Sequence, residues 1–528
     1  MSIIYKYRVI YKFRGHFTSS KMSPPSWLKA IEPYTKLIPY VQKAPSTVTI
    51  ELKMFYTFLC LTVFLLGSQI PLYGMRTTIA KDPVFWLRTI FSSARGSVME
   101  LGLGPTMTSG LIVRMCVSAG LLRFNRNDQD ETELFGRFQS LVGAAFTIGQ
   151  AVLYVFTGMY GNFAELGAFN AIAIVLQLSG ASIILQMLDH MMEQGWGVGS
   201  GQSLFTTAQT CESIIWKTFS FMKIDRGYGT EIEGAIPAAI YMIVNRGNKL
   251  EAVKLAFIRH GLPNLVDVIS TLVIFFVVVY LQGIRKNIKI VHEQAGDQMQ
   301  QSYPIKLLYA SSTPMMIIST VTQNVFMISQ AVWRKLGNNF VTGILGKWQE
   351  NEQNPGSPYP VGGLAWILAP PYSFRSAIFH PIHTLLHAVI VVTISGFAAK
   401  MWVNFSGESA KDVAQNLKAS KWIIPGFKRD QEMVRELNRY IPVAAMTGGI
   451  ILGLLSLIAD ISGCLVSGSG LLMATTSLVK MYEDYAKKAT GAGFWRPPSG
   501  FANELGPRLM GKSGFANELG PRLMGKGP

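Results

Sequence analysis

Ten stretches of this chain are apolar over enough residues to cross a lipid bilayer. That repetition constrains the fold more than any other feature. The runs fall at about 55–75, 105–124, 139–161, 168–190, 202–221, 264–284, 305–330, 381–403, 440–463 and 466–486. A helix needs roughly 20 apolar residues to span the hydrocarbon core, and in lipid the backbone has to satisfy its own hydrogen bonds, which favours helices. Hydrophobic residues make up 49% of the 528 positions and charged residues only 15%, a balance ill suited to a soluble protein of this length. The expected fold is an all-α polytopic membrane protein with ten transmembrane helices.

Several of the runs are rich in Gly and Ser and only weakly apolar, which suits helices packed around something polar. The clearest case is WGVGSGQSLFTTAQTCESIIW at 196–216. Its Gln202, Thr206, Gln209 and Ser213 are spaced to share one helical face. One reading sends that stripe to hydrogen bonds within the helix packing, the other to an aqueous path. Arg114, seven residues past Met107 and on the same face, either lines such a path or snorkels to the headgroups. The segment PVFWLRTIFSS, Pro83 to Ser93, is apolar but too short to span and reads as a re-entrant half-helix.

An even number of spans leaves both ends on one side. The first 53 residues hold nine Lys/Arg against two acids, so that side is expected to be cytosolic. The basic loops after the sixth and eighth spans fall on the same side; the basic 222–263 loop falls outside. The chain then divides into a basic and aromatic extension (1–21), an amphipathic cytosolic segment (22–54), a first five-helix half (55–221), an outer loop (222–263), a second five-helix half (264–486) and a cytosolic tail (487–498). Two halves of five spans are inverted relative to one another, as in many transporters and some channels. The extension reads either as a membrane-surface segment or as sequence ahead of a start at Met22. SGFANELGPRLMGK stands at 499–512 and again at 513–526, so the last segment (499–528) reads as an appended tag. No cleavable signal peptide is visible. The net charge of +17 points to RNA or anionic lipid on the cytosolic face.

Motifs for chemistry are lacking. Cys60, Cys116, Cys211 and Cys464 lie inside apolar runs without ligand-like spacing. His380, His383 and His387 have one-face spacing, but no carboxylate or thiol clusters beside them in sequence. WGVGSG follows a helical run rather than a strand, which weakens a nucleotide-loop reading, and HEQAG is not a zinc motif. Asn404 opens an NFS sequon on the expected cytosolic side. No cofactor, metal or enzymatic activity is expected.

Longer motifs are more specific: RGSVMELG (95–102), TSGLI (108–112), TIGQ with YVFTGMYG (147–161), GSGQSLF (199–205), YPIKLLY (303–309), YPVGGL (359–364), SAKDVAQNLK (409–418) and ELNRYIP (436–442). Through them the chain from Ile31 to about Tyr485 resembles the SecY family of protein-conducting channels, and within it the alpha subunits of eukaryotic Sec translocons. The resemblance implies an hourglass pore in the endoplasmic reticulum membrane that translocates secretory polypeptides and releases membrane proteins sideways into lipid. It implies a ring at the waist formed by Leu103, Met107, Gln202, Thr206, Met316 and Met473. Flexible apolar side chains can close such a neck by dewetting; Gln202 departs from the usual aliphatic residue. A plug over 83–96 would include Pro83, Phe85, Trp86, Leu87, Arg88, Ile90 and Phe91. A seam between the second and third spans and the seventh and eighth would carry a polar cluster of Thr108, Gln150 and Asn324. Ribosome docking would use Arg285, Lys286 and Lys289 in one loop and Lys428 and Arg429 in the other, although the first loop's tip, VHEQAGDQ, lacks the usual basic residues. The implied partners are small beta and gamma translocon subunits, the ribosome, nascent or post-translational polypeptides with their signal sequences, accessory translocation factors and the lipid bilayer. A secondary transporter of inverted repeats is the alternative; it would need paired midplane charges, and none stands out.

Overall fold

The structure, a computed structural model, describes residues 31, 33–34, 41–45, 48–74, 92–94, 96–122, 129–157, 160, 166–225, 230–245, 249–257, 259, 262–292, 296–337, 339–351, 354–371, 374–427 and 429–489. Seven plug positions (Pro83, Phe85, Trp86, Leu87, Arg88, Ile90, Phe91), the 1–21 extension, the tag and Lys428 lie outside the described residues.

The described chain begins with helices α1 (Ile50–Gln69), α2 (Gly104–Ser118), α3 (Gln129–Phe156), α4 (Ala168–Met191), a π-turn (Met192–Trp196) and α5 (Gly201–Phe219). A small hairpin, β1 (Lys223–Asp225) and β2 (Thr230–Ile232), leads to α6 (Ala235–Asn245) and α7 (Lys249–Phe257). Then follow α8 (Leu265–Gly283), β3 (Arg285–His292), β4 (Gly296–Lys306), α9 (Thr313–Leu336), α10 (Phe340–Leu345), β5 (Lys347–Asn351), β6 (Asn354–Gly362), α11 (Gly363–Leu368) and α12 (Phe374–Phe379). The last elements are α13 (Pro381–Ser406), α14 (Ala410–Ala419), β7 (Trp422–Ile423), α15 (Asp430–Ile461) and α16 (Gly468–Ala489).

Among the described residues, seven helices are long and apolar enough to cross a membrane: α1, α3, α4, α8, α9, α13 and α15. Their outward faces stay bare. On α8, Leu272, Val273, Phe276 and Tyr280 are exposed, as are Ile382, Leu385, Val389 and Phe397 on α13. Apolar surface in contiguous faces of this size calls for lipid. The remaining three expected spans do form helices. α2 has only 15 residues. α5 and α16 are long enough but carry many polar side chains. All three hold expected ring positions, on faces the bundle encloses.

Helix ends follow local signals. Asn264 and Asp267 close a capping box at the start of α8. Pro314 and Pro381 open α9 and α13, and α13 stops at Gly407 with φ 77°. Ser409, the first residue of SAKDVAQNLK, caps α14 by accepting the Asp412 amide at 3.3 Å.

The sequence reading held no strands, and the structure adds three small sheets. In the largest, β3 lies between β4 and β7, with Val291 opposite Ile423 and His292 opposite Trp422. The expected span at 305–330 accordingly starts later, at Thr313, because YPIK completes β4. Ile290 and Ile305 of this sheet share a buried cluster with Trp422 and with Val403, Leu417 and Leu437 of α13, α14 and α15. Lys306, the last residue of β4, reaches the nearly buried Glu483 of α16 at 2.5 and 2.7 Å. Removing one partner of a buried pair strands the other charge, so the sheet and α16 are tied together. Beside it, burial pushes the Tyr303 and Tyr309 phenols above their ordinary pKa, which keeps both protonated.

Helices α13 and α15 pack against each other extensively. A Cβ on Gly449 would sit 2.6 Å from the Ser395 carbonyl oxygen and 2.7 Å from the Ala399 methyl. Ser395 in turn donates to the Gly449 carbonyl at 2.5 Å. Small residues let two backbones approach this closely in lipid. Gly449→Ala should therefore cost about 1–3 kcal/mol, read as a lower unfolding midpoint in detergent. Gly149→Ala, whose Cβ would meet nothing within 4 Å, should leave that midpoint in place.

Candidate functional site

Four helices converge on one buried neighbourhood. Leu103 at the head of α2, Met107 one turn on, and Met473 of α16 belong to the same buried cluster, and Met316 of α9 packs against it. Gln202 is half-buried on α5, and its amide nitrogen points at the Met316 sulfur at 3.0 Å. Thr206, a turn farther along α5, is 1% exposed, and the Ser92 hydroxyl lies 3.4 Å from its own. The described end of the 83–96 segment thus abuts the α5 stripe. Leu103, Met107, Gln202 and Met316 also line a cavity of about 60 Å³, whose other walls include Asp189, Glu193, Arg114 and Trp402. Of the expected ring, Leu103, Met107, Gln202 and Met316 share the cavity, Met473 packs in the same buried cluster, and Thr206 lies one turn farther along α5.

The start of α5 is fixed by α4. The Asp189 carboxylate accepts the Gln202 backbone N–H at 2.8 Å, taking up a donor that the first helical turn leaves unpaired. Gly201 permits the approach, since a Cβ there would lie 2.7 Å from the Asp189 Cα. Along α5, Thr207, Thr210 and Thr218 donate back to carbonyls four residues earlier at 2.6–2.8 Å. Hydroxyls satisfied in this way can sit in an apolar bundle. Gln209 differs, with its Oε1 buried and unpartnered among the described residues.

Helices α2 and α9 meet beside this cluster. The Asn324 amide donates to the Thr108 hydroxyl at 3.1 Å and to the Thr320 carbonyl at 2.7 Å. Gln150 is buried on α3, and among the described residues no hydrogen bond joins it to Thr108 or Asn324. Of the expected cluster, Thr108 and Asn324 form a bonded pair. Near the other end of α2, the Arg114 guanidinium lies 5.1 Å from the centre of the Trp402 ring on α13. Arg114 is exposed and borders the same cavity.

His380 is exposed, whereas His383 and His387 pack toward α11. The His383 and His387 rings lie 2.8 and 3.0 Å from the Trp366 and Ile367 carbonyls. Among the described residues, no group of three or more potential ligands could hold a metal.

A family profile for SecY matches residues 97–482, and one for the plug domain of Sec61p matches 63–96. The chain belongs to the SecY family. Solved structures in the family share its fold. One described as a protein-conducting channel has 24% identity and a TM-score of 0.69, over 87% of this chain and 98% of that one. Sec61 in the canine ribosome-channel complex from the endoplasmic reticulum has 24% identity and a TM-score of 0.68, over 87% and 97%. The idle yeast Ssh1 complex bound to the yeast 80S ribosome has 23% identity and 0.68, over 89% and 98%.

Within this SecY-family fold, β3 pairs with β7, so the two expected docking loops form one surface. Lys286, Lys289 and Arg429 are exposed on it, and Arg285 is half-buried. Sequence reasoning missed Asp189 and Trp402. The signal for Asp189 was a lone acid ending an apolar run just ahead of GSGQ. Replacing Asp189 with Ala should free the Gln202 amide at a cost of about 1 kcal/mol. Hydrogen exchange at that amide should then quicken several-fold; an unchanged rate would show that the cap is idle.

Proposed function

We propose that this chain is the pore-forming subunit of a channel that moves secretory polypeptides across the endoplasmic reticulum membrane and passes membrane segments sideways into lipid. The observation that carries the reading is the waist. Flexible thioether, aliphatic and amide side chains from four helices meet inside a bundle whose outer faces are apolar. Such a neck seals when empty and yields around a passing chain, because methionine side chains repack at little cost. In this reading Leu103, Met107, Gln202, Thr206, Met316 and Met473 are the ring, residues 83–96 the plug, and Thr108, Gln150 and Asn324 the polar part of the seam. Ten helices in two inverted five-helix halves, with both termini cytosolic, complete the arrangement.

The chain has no energy-coupling motif, so the push comes from partners. The exposed cations around β3 and the start of α15 suit RNA phosphate, and the structural neighbours include two ribosome-bound complexes. Small beta and gamma subunits and accessory factors complete the expected assembly.

A photoreactive group at Met316 should cross-link to a stalled nascent chain in microsomes, and the same group on lipid-facing Val389 should not. Absence of any Met316 adduct would count against a polypeptide channel. For docking, Lys286→Ala with Lys289→Ala should weaken ribosome binding and flatten its salt dependence. Each lost phosphate contact removes about 0.7–0.9 from the log–log slope. An unchanged slope would place docking elsewhere.

A further inference from the structure

We propose that Arg114 and Trp402 form a cation–π latch across the seam, and that this pair helps set how apolar a signal must be to part the helices. The inference rests on the channel reading above and adds residues to its seam. Arg114 belongs to α2 and Trp402 to α13, on opposite sides of the line marked by the Thr108–Asn324 hydrogen bond. The guanidinium carbon stands 5.1 Å from the ring centroid, inside the ~6 Å range over which a ring face attracts a cation. Six residues of helix separate Arg114 from Thr108, a rise of about 9 Å. The two cross-seam contacts therefore act at different depths, the latch lying toward the β3–β4–β7 sheet.

Both partners are placed for this role. Trp402 packs against the buried cluster that seats β3 and β7 on α13, α14 and α15, so its ring is held by the firmer side of the seam. Arg114 sits on a short helix and borders the cavity that the waist residues line. An arginine on a membrane helix ordinarily snorkels to headgroups; here the residue is exposed, yet its guanidinium lies over the Trp402 ring. Asp189, His190 and Glu193 line the same cavity and also face Arg114. A purely ionic role for Arg114 is thus the competing explanation, and the test has to separate the two. A signal that parts α2 from α13 must break the pair, so weakly apolar signals meet a barrier that strongly apolar ones outrun.

Full-length channels carrying Arg114→Gln, Trp402→Leu, Trp402→Phe or the double change Arg114→Gln/Trp402→Leu would be compared in microsomes. The substrates are reporters whose signals rise stepwise in hydrophobicity. Either disruptive single change should raise insertion of a marginal signal about two- to fivefold, the range for an exposed cation–π contact. The double change should add little to the larger single effect, because both remove one interaction. Trp402→Phe keeps a ring, controls for folding and should fall between. Fully additive effects, or no shift with Trp402→Leu when the strongest signal still inserts at the unmodified level, would overturn the latch. Failure of the unmodified chain to insert even the strongest signal would instead overturn the channel reading.

Discussion

Hydrocarbon offers a backbone amide no partner, so every stretch of this chain that crosses the bilayer has to pair its own amides, and helices are the result. The same solvent sorts the helices by side chain. Those with an apolar face to spare, such as α8 and α13, turn it outward. α5 and α16, which carry hydroxyls and amides, are held inside. Threonine makes this workable on α5: each of Thr207, Thr210 and Thr218 returns its proton to a carbonyl of its own helix. A helix of this kind presents polar atoms to a path when water or a peptide is there, and loses little when neither is.

The apolar pattern made several helices legible almost to the residue. The runs at 168–190, 264–284 and 381–403 became Ala168–Met191, Leu265–Gly283 and Pro381–Ser406, because Gly167, the Asn264 capping box and Pro381 mark their starts. α3 and α15 begin about ten residues before their apolar windows, at Gln129 and Asp430. Hydropathy is blind to helix that extends beyond the membrane as a polar turn. The strands were not legible. β7 is two residues long, and β3 finds it only once α13 and α14 have brought it back. Local propensity carries no trace of a pairing that tertiary structure creates. The ring positions came from family likeness, since spacing alone could place Gln202 and Thr206 on one face but not say what the face meets. Trp402 was missed for a plainer reason: an aromatic near the end of an apolar run looks like any interfacial anchor.

The two sides of the proposed seam are packed unequally. On one side, α13 is pressed onto α15 through Gly396, Gly449 and Gly453, with Ser395 bonded across the contact. The sheet and α16 are joined through Lys306 and Glu483. On the other side α2 is short, and its Gly104 lies against the Gln323 side chain, whose Oε1 is buried without a partner among the described residues. An acceptor left unpaired on burial costs on the order of 1–3 kcal/mol. Thr108–Asn324 and Arg114–Trp402 thus join α2 to α9 and α13 beside an acceptor that has no partner among the described residues.

Gln202 raises a similar question of pairing. An amide in an otherwise apolar neck would draw water if left bare, yet its nitrogen rests on the Met316 sulfur. A thioether is a weak acceptor and a flexible one, so the contact spares the amide without fixing it. The partner lies on a different helix, α9, so the contact also joins two helices of the waist cluster. In the proposed channel, a polypeptide that separated α5 from α9 would cost the amide only a soft bond and offer it backbone groups to pair with. An aliphatic residue in its place would seal the empty pore more tightly but would have nothing to offer the chain passing through.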